Sequence, residues 1–510
     1  MADEPPNILE RWFAPDFSEP SYLRARWIWL RSLGAIFFSA FYSLYFQIHG
    51  LIGPNGILPA GPYLDAVRNA VHAKGYWYVP TLLWINASDR ALDALVWTGF
   101  AASVALIFNL WPRVSTAVAG ICFLSFVSAA QDFSAYQSDG MLLEAALLSI
   151  FFAPRGFRPG LGADQPPSKA SLFMLRWEWF RIYFESGLVK ILSGEQQWRN
   201  LTAMDKYYEN GPLPSWMGWY VQQWPHSFHA GTAAFTLIAE LLLAWLVFFP
   251  KWLRRICFII TTPLQIGIIL TANYAFLNYL VLFLGFLLLD DKWLEWVSAR
   301  RSRALRRQAA NSQLVGHGRA VPHPSYAAAV MLPIVFITTV AGFFMPGFPT
   351  VILLEPFRVA NSYGLFAVMT RARYEIEFQG TADGKTWIAY PFRYKPQDVR
   401  KAPGLFAPYQ PRFEWNLWFA MLGTWVENRW VLNTEVRLLE NQPAVLQLFA
   451  GNPFARKPPI AVRAIEWQYW FTNPTEKRAT GAWWHRDLIG QYAPTARRMP
   501  DGTIQFEGSQ

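Results

Sequence analysis

Two cysteines in 510 residues exclude a disulfide framework. Cys122 and Cys257 both lie inside apolar runs, so no cysteine-based metal site can be assembled. Charged residues are scarce, 16% of the chain against about 25% in ordinary soluble domains. The opening stretch MADEPPNILERWFAPDF is polar and acidic, so no cleavable signal peptide is expected. No Walker A loop, dinucleotide fingerprint or GxSxG elbow occurs, and no cofactor is implied. His226 and His229, in WPHSFHA, stand i,i+3 and are close enough on a helix to share a metal. No third ligand follows, so no metal is expected. His317 and His323 fall in a basic loop bearing glycine and proline and read as solvated.

What the chain does have is grease. It is 53% hydrophobic and 17% aromatic, which fits a multi-span membrane protein, and its 26 Trp and 21 Tyr suit interfacial belts. The net charge of +10 invites a nucleic-acid partner, but the basic residues sit beside hydrophobic spans and read as topology signals. Membrane lipid is the expected surrounding and nucleic acid is not. About nine spans are predicted, near 27–47, 93–111, 114–130, 140–153, 172–192, 232–249, 256–272, 274–289 and 326–345. With a cytoplasmic N-terminus, the inner loops carry Arg113, then Arg155, Arg158 and Lys169, then Lys251, Arg254 and Arg255. The last inner loop carries Lys292, Arg300, Arg301, Arg303, Arg306, Arg307 and Arg319. The outer loops 48–92 and 193–231 are long and aromatic. This alternation puts everything after Phe344 on the far side of the membrane.

One predicted span, LFMLRWEWFRIYFESGLVKIL at 172–192, carries Arg176, Glu178, Arg181, Glu185 and Lys190. A charge at the bilayer centre costs about 2.5 kcal/mol or more. Glu178, Arg181 and Glu185 share one helical face, which must look into protein or a wet cavity. Arg176 and Lys190 lie nearer the ends, where long stems can snorkel to headgroups. Glu144 follows the turn-like Ser138–Gly140 and is expected near an interface; Glu240 is central in its span and offers a partner for Arg181 or Arg176. Two readings stay open for this polar cluster: an ion-paired buttress or a functional intramembrane site.

From about residue 351 the pattern changes to an α+β domain outside the membrane, expected to run to 495, with a loose tail at 496–510. Alternating Tyr374, Ile376 and Phe378, the Asp383–Gly384 turn, and Trp387, Ile388, Tyr390 and Phe392 predict a hairpin. Residues 461–472 predict a further strand, and 412–423 and 434–451 predict helices, the second ending at a glycine cap. The many aromatics of this domain suit either a core or a surface that grips another polypeptide.

Over nearly its full length the chain resembles the lipase maturation factor family. The carrying segments are GLIGPNGILPA (50–60), SDGMLLEAALL (138–148), LVKILSGEQQWRNLTAMDKYYENGPLPSWMGWY (188–220), NSYGLFAVMTRARYEIEFQGTADGKTW (361–387), FRYKPQDV (392–399), APYQPRFEWNLWFA (407–420) and GAWWHRDLIGQY (481–492). In animals the resemblance implies an endoplasmic reticulum membrane protein whose lumenal C-terminal region binds and helps fold secreted dimeric lipases. The cysteine-free C-terminal domain suggests a bacterial member, with that domain in the periplasm. One departure is Tyr207 in DKYYEN, where the family pattern leads us to expect histidine; this removes any site argument resting on a histidine there. The membrane half is also similar to the superfamily of vitamin K-dependent gamma-carboxylases, through Gly187-Leu-Val-Lys190 followed by Trp198.

Two functions follow as expectations. The first is a maturation factor for an exported lipase or other client, marked by a stable complex without turnover. The alternative is an intramembrane enzyme acting on a quinone, lipid or protein, with Lys190 as the candidate catalytic base. A transporter would show internal repeats, and none is evident. The loop 188–220 is expected to form an ordered lip between membrane and C-terminal halves, with Trp198, Arg199, Asp205 and Glu209 on it.

Overall fold

The computed structural model describes residues 7–18, 21–134, 136–299, 325–345 and 347–508. The basic cluster from Arg300 to Arg319, with His317 and His323, lies outside the described residues. All nine predicted spans coincide with helices: α1 (Leu23–Tyr45), α2 (Asp89–Ile107), α3 (Pro112–Ala129), α4 (Gln137–Phe152), α5 (Lys169–Leu192), α6 (His226–Leu241), α7 (Lys251–Thr271), α8 (Leu277–Gly285) and α9 (Tyr326–Phe344). Among the described residues, six are long and apolar enough to cross a membrane: α1, α2, α3, α6 with its 3₁₀ extension to Phe248, α7 and α9. Helix α4 has 16 residues and α8 has nine, while α5 is long enough but carries too many charges.

Local signals explain the boundaries. Pro112 opens α3 and Pro250 precedes α7, where a missing N–H costs nothing. Ser168 caps α5, its Oγ accepting from Ser171 N at 3.2 Å. Helices α1 and α2 meet where Gly99 leaves room for the ring of Phe41; any Cβ there would fall inside that ring.

Beyond α9 the chain builds a five-stranded antiparallel sheet in the order β2-β1-β3-β4-β5. The strands are β1 (Arg373–Thr381), β2 (Ile388–Ala389), β3 (Ala461–Phe471), β4 (Trp484–Arg498) and β5 (Ile504–Glu507). Strand β1 pairs with β3 from Arg373↔Tyr469 to Thr381↔Ala461. The predicted hairpin and the 461–472 strand are present. Helix α10 (Arg412–Ala420) matches its prediction. Helix α11 (Trp430–Leu439) starts and stops earlier than expected, because Asn441 takes a left-handed φ of 56° and Pro443 follows, breaking the run long before Gly451.

The expected loose tail is not loose. Strand β4 continues to Arg498, and β5 pairs with it from Thr495↔Glu507 to Arg498↔Ile504. Some of the large aromatics here are core, with Phe413, Trp415, Trp430, Tyr469 and Trp484 all buried, while others, such as Trp387, Trp418 and Trp470, are partly exposed. The two halves share one continuous apolar core, which includes Trp29, Phe123 and Phe276 as well as Phe413 and Val462.

Candidate functional site

The charged face of α5 is built as the 3.6-residue period requires, with Glu178, Arg181 and Glu185 all buried. Arg181 is only 1% exposed. Its partner is Glu144 of α4, with Glu185 Oε1 3.9 Å away. This corrects one expectation, since Glu240 is not its partner, and it places Glu144 fully buried at the centre of the cluster. The rest of the shell comes from far along the chain. Arg181 Nη1 donates to the Asn361 carbonyl at 2.6 Å. Glu144 Oε2 accepts from Asn361 N at 3.1 Å and from Tyr363 Oη at 2.9 Å. Glu185 Oε2 accepts from Tyr363 N at 2.7 Å. The segment Asn361–Tyr363 is thus clasped inside the helical half. Sequence reasoning did not single out these residues as partners, although they stand in one of the segments that carry the family resemblance.

Both flanking cations have partners within the protein. Arg176 donates through Nε and Nη2 to the Leu287 carbonyl at 2.9 and 2.7 Å, and stacks 4.6 Å over the ring of Tyr22. Lys190 is 1% exposed and donates to both carboxylate oxygens of Glu240, at 2.9 and 2.8 Å. Its ammonium also lies 5.1 Å from the ring centre of Trp198. Gly187 makes this pairing reachable, since a Cβ there would stand 2.7 Å from Glu240 Cβ and force α5 and α6 apart. Both oxygens of the Glu240 carboxylate are thus taken up by Lys190 Nζ, so the pair is an internal tie between α5 and α6. The pair faces a cavity of about 360 Å³ between α5, α6, α7 and α8.

The lip is ordered and packed on the C-terminal half. Trp198 Nε1 donates to the Phe366 carbonyl at 2.9 Å, and Asn210 Nδ2 to the Thr370 carbonyl at 2.8 Å. Glu209 Oε2 accepts from Phe471 N, in β3, at 2.7 Å, and its Oε1 lies 3.3 Å from Lys206 Nζ. Arg373 Nη2 donates to the Pro212 carbonyl at 3.0 Å. Asp205 is taken by His226 Nδ1 at 2.9 Å, whereas His229 is buried against Tyr208, so the two histidines have different neighbours. Among the described residues no group of three metal-ligating side chains forms. Arg199 is exposed and reaches back to the Ile191 carbonyl at 3.3 Å. Tyr207 is buried between Tyr274 and Phe366, with ring centroids at 6.2 and 5.8 Å.

A second tie was missed altogether. Arg412 at the start of α10 forms a two-pronged pair with Asp139 at the start of α4, at 2.7 and 2.8 Å, with both side chains at most 1% exposed. Loop 48–92 is held too, with Arg437 Nε donating to the Gly56 carbonyl at 3.0 Å. At its start His49 bridges Asp89 and Asp93, at 2.8 and 2.7 Å. Burial alone would lower the His49 pKa, but hydrogen bonds donated by the ring to Asp89 and Asp93, and the charges of the two carboxylates, outweigh it and raise it above the ordinary histidine value. The folded chain therefore holds the imidazolium more tightly than the unfolded chain does. That stability is fully present below the unfolded pKa and is lost as pH rises through the folded value. Melting temperature in detergent is expected to drop as pH rises above the ordinary histidine pKa of 6.5, and His49→Gln should flatten that drop. An equal drop in the variant would assign the pH dependence to other groups.

A mostly helical body with six membrane-length apolar helices, its polar faces clasped to a sheet-bearing C-terminal half, defines a multi-pass membrane protein. Family models place it further. Residues 24–296 match the lipase maturation factor transmembrane domain and residues 359–494 the lipase maturation factor C-terminal domain, with α9 between them. The chain is 30% identical to lipase maturation factor 1 of Bos taurus, over 94% of this chain and 91% of that protein. It is also 30% identical to lipase maturation factor 1 of Mus musculus, over 92% and 87% of the two chains, and to lipase maturation factor 2 of Gallus gallus, over 92% and 81%. No solved structure matches. The chain belongs to the lipase maturation factor family.

Proposed function

We propose that this protein is a membrane-embedded maturation factor for exported lipases, which presents the lip and the C-terminal half to a folding client on the non-cytoplasmic side of its membrane. The observation that carries the reading is that similarity to lipase maturation factors runs through both halves, lip included. The reading divides the chain near residue 350 into a membrane half and an extramembrane half, which the separate matches over residues 24–296 and 359–494 support. The membrane is the endoplasmic reticulum in a eukaryotic host and the inner membrane in a bacterial one.

Nine crossings fit this arrangement better than six. An odd number puts the C-terminal half opposite the cytoplasmic N-terminus, on the side of the outer loops 48–92 and 193–231. Both loops pack against it, through Gly56 and Arg437 and through Trp198 and Phe366. A reporter that fluoresces only in the cytoplasm, fused after Gln510, is expected to stay dark; a bright fusion would sink the orientation. The charges of the α5 cluster serve here as buttresses for the clasp.

The maturation reading is tested by expressing the chain with a secreted dimeric lipase in cells lacking their own maturation factor. Secreted lipase activity is expected to rise several-fold. Replacing Trp198 and Arg199 together with Ala should remove most of that rise; because Trp198 is buried, Arg199→Ala alone, at an exposed position, separates a lost client contact from a misfolded factor. A correctly inserted protein that gives no rise would overturn the proposal.

A further inference from the structure

The cavity beside Lys190 has walls that no client reading uses. It lies between α5, α6, α7 and α8 and is roofed by the lip and the Leu365–Phe366 stretch. At about 360 Å³ it is in the range of small-ligand pockets and more than twice the ~150 Å³ that suffices for benzene in an apolar core. Its side opens between α6 and α7, the two least buried of the membrane-length helices. Phe235, Pro263 and Gly267 line it there and are exposed at the same time. A Cβ built on Gly267 meets nothing within 4 Å, so a larger side chain at this edge of the cavity would find open space.

The polar groups inside are already matched. Lys190 and Glu240 neutralise each other, Gln265 Nε2 donates to Tyr183 Oη at 2.8 Å, and Asn278 Nδ2 donates to Gln265 Oε1 at 2.8 Å. An anionic head beside this pair would meet Glu240, and a cationic head would meet Lys190. Either would leave a net charge buried, which is costly. An uncharged head adds none and can still take a hydrogen bond.

We propose that this cavity binds one hydrocarbon chain of a membrane lipid whose head is uncharged and bears hydroxyl or ester groups, admitted sideways between α6 and α7. The site rests only on the membrane placement of the helices, so it stands or falls independently of the lipase client. The full-length protein in phosphatidylcholine nanodiscs would be photolabelled with a diazirine-bearing monoacylglycerol, a matched fatty acid and a matched alkylamine. Peptide mapping is expected to place the monoacylglycerol label on α5, α6 or α7 at cavity residues, at least fivefold above either charged probe. Gly267→Trp, at a position with open space around it, should cut that label at least fivefold while leaving the melting temperature unchanged. Glu240→Gln leaves Lys190 uncompensated and should turn the preference toward the fatty acid. Labels spread over the outer helix surfaces, equal labelling by all three probes, or labelling undiminished in a folded Gly267→Trp variant would each overturn the proposal.

Discussion

Replacing Arg181 with leucine is expected to cost about 3–5 kcal/mol and most of the yield of folded protein. The side chain is 1% exposed and is the cation between Glu144 and Glu185. Without it those carboxylates face each other in a medium that cannot solvate them, and the Asn361 carbonyl loses its donor. A lysine at 181 keeps the charge but not the fork that spans Glu144 and Asn361, so it should fall between the two. The check is the monodisperse fraction and melting temperature of the detergent-solubilised protein. Adding Glu144→Gln to the leucine variant should recover part of the loss, because the buried charge leaves with its partner. A leucine variant that melts with the parent would show that the pair holds nothing together.

Asp139→Asn should be nearly as damaging, at about 3 kcal/mol, and should show itself differently. Asp139 and Arg412 join the start of α4 to the start of α10. The guanidinium also donates to the Phe133 carbonyl at 3.0 Å and lies 4.9 Å from the ring of Phe126. Asparagine keeps the shape but offers one acceptor where two are used, and leaves the arginine charge unanswered. The expected result is a lower melting temperature together with faster protease cleavage between α9 and β1. Leucine at both 139 and 412 should restore much of the melting temperature, since a dry pair of similar volume carries no desolvation penalty. Unchanged proteolysis in the asparagine variant would mean that the halves are held elsewhere.

The helices were legible because apolar runs and their period are local properties of sequence. The same holds for the β1–β2 hairpin, where alternation and an Asp–Gly turn sit within twenty residues. What was not legible is who answers each charge. Depth in the span matches Glu240 to Arg181 or Arg176, yet Gly187 brings α5 close enough for Lys190 to take it. Glu144 was read from the turn-like residues before it, though its partners are Arg181, Asn361 and Tyr363. Strand β4 escaped notice because its buried and exposed positions do not alternate, and its register against β3 shifts. Its end at Arg498 and all of β5 are held by pairing that no local pattern announces. The lip was anticipated from its tryptophans, and it contacts the C-terminal half as expected.

The clasp around Asn361–Tyr363 also sets a schedule for biosynthesis. Arg181 and its acceptor on Asn361 are 180 residues apart in the chain. At translation rates of about 5–20 residues per second, roughly ten to forty seconds separate their synthesis. Throughout that interval α4 and α5 hold Glu144, Arg181 and Glu185 without the groups that complete their shell. The ribosome therefore delivers a half-built bundle first and its keystone last. The chain begins its life with an open polar core, and closes it only when its own far half arrives.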